Sequence, residues 1–118
     1  MAAISLTKEL FSKRVSPIVS HSSDFRFIGA KPAVIDFYAT WCGPCQAVAP
    51  LLEELSDLYG EKVDFYKVNV DEENELSGIF NIRSIPTLLF VSRGGEVQRF
   101  TGAMSRERLK GLVESLIK

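Results

Sequence analysis

Ala33-Val34-Ile35-Asp36-Phe37-Tyr38-Ala39-Thr40-Trp41-Cys42-Gly43-Pro44-Cys45 is the stretch whose reading decides the fold. Its first half, from Ala33 to Ala39, is a near-continuous apolar run, the pattern of a central strand covered on both faces. Its second half holds the only two cysteines of the 118-residue chain, two residues apart. A helix is predicted to follow over residues 44–59, where Leu51, Leu52, Leu55 and Leu58 recur at helical spacing and Gly60 ends the pattern. Pro50 should kink that helix, because it lacks a backbone donor and its ring crowds the preceding turn. A structural cross-link stabilises most when it closes a long loop of the unfolded chain. A bridge over two residues constrains almost nothing, so the pair is better suited to carrying electrons than to holding the fold.

Outward from this stretch, strand-like and helix-like segments alternate, which argues for an α/β layered domain. Residues 6–16 read as a short helix with Thr7 as N-cap and Pro17 beyond its end. Residues 20–24 are a polar loop, Phe25-Arg26-Phe27-Ile28 alternates like a short strand, and residues 29–32 are a turn. Residues 63–70 form the next strand, followed by a helix over 72–80 with Leu76, Ile79 and Phe80 on one face. Residues 87–91 and 96–101 are strands joined by Arg93-Gly94-Gly95, an antiparallel hairpin. A final helix carries Leu109, Leu112, Val113, Leu116 and Ile117 as one apolar stripe, capped by Ser105. There is no internal repeat and no low-complexity tract, so residues 1–118 are expected to form a single domain.

The bulk numbers exclude several classes of function. With 46% hydrophobic and 25% charged residues the composition is that of an ordinary globule large enough for a core without staples. A net charge of −1 leaves no electrostatic footprint for nucleic acid and no basic run suited to a membrane surface. Lys8, Glu9, Lys13 and Arg14 interrupt the first 16 residues, which therefore do not read as a signal peptide. No apolar stretch approaches the roughly 18 residues that a bilayer span needs. The cytoplasm is the expected compartment; export with a removed signal peptide is the alternative left open.

The cysteine pair lies where chemistry is favoured. A thiolate is the nucleophile, and a free cysteine at neutral pH is mostly thiol. Cys42, between a buried strand and the start of a helix, meets backbone N–H groups and the positive end of the helix dipole, which stabilise a negative sulfur. Cys45, one turn on, is expected to be the more enclosed. Cys42 is thus the exposed attacking thiol and Cys45 the resolving one, with Pro44 tolerated in the first turn. A Cys-x-x-Cys pair can also be half of a zinc site, but His21 is the only further soft ligand, so no metal is expected.

Asp36 is costly to bury inside its apolar run unless paired or neutral, and burial would raise its pKa towards neutrality. It is a candidate proton acceptor beneath the motif; the competing reading is an outward-facing edge position. Lys67, in an apolar strand, is either its ionic partner or a lysine snorkelling to solvent. Ile85-Pro86-Thr87 opens a strand, and a cis bond at Pro86 would bring the Ile85 backbone beside the sulfurs.

Taken in order, residues 34–45, Ala49-Pro50, Lys67-Val68-Asn69-Val70-Asp71, Ile82-Arg83-Ser84-Ile85-Pro86-Thr87 and Gly102-Ala103 resemble the thioredoxin family. The resemblance covers about residues 33–118 and implies a thioredoxin fold, a central mixed β-sheet flanked by helices on both faces. It implies Cys42 as nucleophile, Cys45 as resolving thiol, Asp36 as the buried acid–base group for Cys45, and Lys67 beside it. It also implies a cis Pro86 and a substrate-docking surface of Trp41, Gly43, Pro44, Ile85, Pro86, Gly102 and Ala103. Tyr38 stands where many family members have tryptophan. Residues 1–32 form an extended, atypical N-terminal region onto which no family role is carried.

The resemblance further implies a protein-disulfide reductase working through a reversible Cys42–Cys45 couple, with no bound cofactor. Its partners would be disulfide-containing proteins and an NADPH-linked thioredoxin reductase, the protein itself being a monomer. Gly43-Pro44 between the cysteines is similar to the reducing members. The alternatives are an exported relative acting on envelope targets and a binding module that uses the same surface.

Overall fold

The computed structural model describes residues 3–118; Met1 and Ala2, at the head of the N-terminal region, lie outside them. The described chain runs β1 (Ile4–Ser5), α1 (Lys8–Arg14), β2 (Ala33–Tyr38), α2 (Gly43–Tyr59), β3 (Asp64–Asn69), α3 (Asn74–Ile79), β4 (Thr87–Val91), β5 (Val97–Thr101) and α4 (Arg106–Ile117). The strands form one sheet in the order β1-β3-β2-β4-β5. β3 runs parallel to both β1 and β2, whereas β4 is antiparallel to β2 and β5 to β4, so the sheet is mixed.

The continuous apolar run of β2 is explained by this order. It is the central strand, and its first five residues are all buried. Alternation along it feeds two cores. Ile35 and Phe37 face α1 and α3 with Phe11, Leu76, Ile79 and Phe80. Val34 faces α2 and α4 with Val48, Leu52, Leu55, Leu109 and Val113. By the period of two, Asp36 lies on the α2/α4 face, directly across from Lys67 in the register with β3.

Three helix N-caps are made as their sequences require: Thr7 and Ser105 accept bonds from Leu10 N and Arg108 N, and Cys42 caps α2. The β4–β5 hairpin forms, with Gly95 at φ +90°, a left-handed backbone that suits glycine.

Three expectations are corrected. Residues 25–28 are not a strand. Phe25 and Phe27 are half-buried while Arg26 and Ile28 are exposed, so the period of two is real. The segment, however, runs over the aromatic cluster of Phe11 and Phe80 rather than along a sheet edge. Its amides bond to the chain just after α1, Arg26 N to Ser16 Oγ at 3.0 Å and Ile28 N to Val15 O at 2.8 Å. Conversely, the expected start of the first helix is too early, and β1 precedes it as an edge strand too short to show a period. Leu58, predicted on the buried stripe of α2, is 57% exposed. The sheet-facing row is Val48, Leu52, Leu55 and Tyr59, and Leu58 lies about 90° off its centre at roughly 100° per residue. Gly60 ends α2 in a right-handed conformation (φ −61°), so no left-handed turn demands glycine there.

Candidate active site

Registers fix the site at one end of the sheet. Phe37 pairs with Thr87, and Thr87 with Thr101. The chain leaving β2, the chain entering β4 and the chain leaving β5 therefore meet at one edge, and each carries residues singled out in the sequence.

Leaving β2, the chain passes exposed Trp41 and turns into α2 at Cys42. Cys42 has the extended backbone of an N-cap, and its Sγ accepts a hydrogen bond from Cys45 N at 3.2 Å. The side chain that caps the helix is thus the sulfur itself, and a negative charge there is stabilised by the helix terminus. Cys42 and Cys45 form a disulfide with a Cα–Cα distance of 5.3 Å. Cys42 is the more accessible, but only at 5% against 2% for Cys45, which corrects the expectation of an exposed thiol. Both sulfurs are tucked against Ala39, with Tyr38, Val70 and Ile85 around them. The exposed member of the motif is Trp41, at 69%.

Entering β4, the Ile85–Pro86 peptide is cis. Ile85 O lies 3.8 Å from Cys42 Sγ, an acceptor for the thiol once the disulfide is reduced. Leaving β5, Gly102 holds φ +96° and its N–H donates to Pro86 O at 2.8 Å, which ties the two loops together. A Cβ on Gly102 would meet nothing within 4 Å, so glycine serves the backbone angle there rather than space. Ala103 beside it is exposed.

Asp36 is 3% exposed and sits on a central strand, which rules out the outward-facing edge reading. Among the described residues its Oδ1 has no hydrogen-bond partner. Burial pushes its pKa from 3.8 up to about 7, and the nearby Lys67 ammonium partly opposes that rise. Lys67 is half-buried, and among the described residues the two form no ion pair. A buried carboxyl that titrates near neutrality can take up and return a proton. Burial, then Glu72 and Asp36, raise the Tyr38 phenol above its ordinary value.

The sequence reading gave Asp71 no role, yet its Oδ2 accepts a 2.8 Å bond from Trp41 Nε1. That contact orients the exposed indole beside the sulfurs. Its only sequence signal is the turn after β3, where Asn69 Oδ1 accepts from Asp71 N at 3.0 Å. His21 is exposed in its loop, and among the described residues no group of three or more His, Cys, Asp or Glu side chains could hold a metal.

A two-residue-spaced disulfide at a strand-to-helix junction is chemistry for exchanging disulfides, and this fold and site define a thiol–disulfide oxidoreductase. The family model described as Thioredoxin matches residues 5–115. The chain is 38% identical over 112 residues to a thioredoxin of Borreliella burgdorferi, covering 95% of both chains. It is 37% identical over 113 residues to a thioredoxin of Bacillus subtilis, covering 96% of both. The chain belongs to the thioredoxin family. Among solved structures, chloroplastic thioredoxin z has a similar fold, with a TM-score of 0.77 over 98% of this chain and 95% of that one at 24% identity.

Proposed function

We propose that this protein reduces disulfides in other proteins, with Cys42 as the attacking thiolate and Cys45 as the resolving thiol. The observation that carries this reading is the capping of α2 by Cys42 Sγ, which favours charge on that sulfur over the other. A target docks in extended form across Trp41, Gly43, Pro44, Ile85, Pro86, Gly102 and Ala103. The Cys42 thiolate attacks one target sulfur and forms a mixed disulfide. Cys45 then loses its proton to Asp36, attacks Cys42 and releases the reduced target, a step made fast by the proximity of the two thiols. Lys67 tunes Asp36 from the neighbouring strand. The oxidised couple is returned to the dithiol by an NADPH-linked thioredoxin reductase, and the chain carries electrons with no other cofactor. Residues 1–118 work as one monomeric domain, and the cytoplasm is the compartment in which such a reductant would be recycled.

The test is reduction of a generic protein disulfide by the protein with NADPH and a thioredoxin reductase. Cys42→Ser should abolish turnover, whereas Cys45→Ser should accumulate mixed disulfides, visible as covalent adducts on non-reducing gels. Wild-type turnover by Cys45→Ser would remove the two-cysteine mechanism.

A further inference from the structure

A cavity of about 90 Å³ is bounded by Asp36 and Tyr38 of β2, Lys67 of β3, Leu52 and Glu53 of α2, and Ala3 ahead of β1. A water molecule needs roughly 10–15 Å³ on the same measure, so there is room for several. Asp36, whose buried Oδ1 has no hydrogen-bond partner among the described residues, lines this cavity. Such an atom is costly unless water serves it. Glu53 lines the same cavity and is half-exposed, so its carboxylate touches both the cavity and solvent. Ala3 N donates to both its oxygens, at 3.4 and 3.3 Å. That bond joins the N-terminal segment to α2 and holds the carboxylate over the cavity. The titratable and charged groups that share the cavity with Asp36 are Lys67, Tyr38 and Glu53. Among the described residues that line the cavity, Glu53 is the one carboxylate besides Asp36, and it also reaches solvent.

We infer that Glu53 is the positioning residue of a proton exit: the proton that Asp36 takes from Cys45 leaves through cavity water and the Glu53 carboxylate. The inference rests on the proposed role of Asp36 towards Cys45. In the resolving step the Cys45 S–H bond breaks and its proton passes to Asp36. A Cys45–Cys42 bond forms, and the bond from Cys42 to the target sulfur breaks, its electron pair leaving on the target thiolate. The cysteine pair is oxidised and the target reduced. The target thiolate takes a proton from solvent, and Asp36 returns one to solvent through Glu53.

The test mixes the reduced full chain with one equivalent of a peptide disulfide and follows the second, resolving phase across neutral pH at low buffer. Glu53→Gln keeps the size of the side chain and an acceptor for Ala3 N. It should slow resolution roughly tenfold and enlarge the solvent deuterium isotope effect. Imidazole, a small proton carrier, should restore the rate in proportion to its concentration. Glu53→Ala should behave alike, and if it fails to fold the glutamine variant carries the test. Slowing that imidazole does not relieve would make Glu53 merely structural and overturn the inference. Wild-type rates in the Glu53 variants alongside a slow Asp36→Asn would overturn the exit but spare Asp36. A fast Asp36→Asn would remove the role of Asp36 and the exit with it.

Discussion

Asp36 joins stability to chemistry at the scale of one residue. Burial holds its folded pKa at about 7 against 3.8, so the folded protein binds this proton more tightly than the unfolded chain. The corresponding stability is fully present below pH 3.8 and is lost as pH rises through about 7. At 1.36 kcal/mol per pKa unit, the loss across that window is about 4 kcal/mol as an upper bound. Asp36→Asn should therefore be more stable than wild type at pH 8 and close to it at pH 4, measured by urea unfolding; an equal gap at both pH values would contradict this. Lys67 lowers the same pKa. Lys67→Met should push it higher and move the pH midpoint of the resolving step upward; an unmoved midpoint would detach Lys67 from Asp36.

At the scale of elements, function depends on where helices begin. α2 starts on the reactive sulfur, so helix formation and thiolate stabilisation are one arrangement. α4 starts on Ser105, whose Oγ accepts from Arg108 N at 3.2 Å, and it packs Leu109 and Val113 onto the face that also buries Asp36. Ser105→Ala should cost about 1 kcal/mol, seen as a lower urea midpoint with an unchanged slope. A change below a few tenths would mean that the cap is replaced by solvent. The caps, the hairpin and the four helices were legible because their signals lie within a few residues of one another. The two strand errors have the opposite cause. β1 is two residues long, and residues 25–28 repeat a strand pattern without a strand neighbour.

Across the whole molecule the sheet separates two duties. The α1/α3 face is stabilised by an aromatic cluster in which Phe25 approaches Phe80 at 5.7 Å and Phe27 at 6.3 Å. The α2/α4 face carries Asp36 and the cavity it lines with Glu53. Phe25→Ala should cost about 2–3 kcal/mol of stability, less than a fully buried phenylalanine because the ring is half-exposed. Its disulfide-reduction rate should match wild type at a temperature where both are folded. A slowed rate there would show that the two faces are coupled.

Sequence by itself determined the redox pair, its strand-to-helix setting, the hairpin and the amphipathic helices. Those properties are written in residue type and in spacings of two, three and four. The apolar run of β2 already marked a central strand, but only the tertiary structure decided which strands flank it and that Asp36 is buried on the face covered by α2 and α4. It also set Lys67 opposite Asp36, Ile85 O against Cys42, Asp71 under Trp41 and Glu53 against Ala3. These last four pairings join residues 30 to 50 positions apart in the chain. No local pattern encodes them, because they follow from strand order and from which helix covers which face.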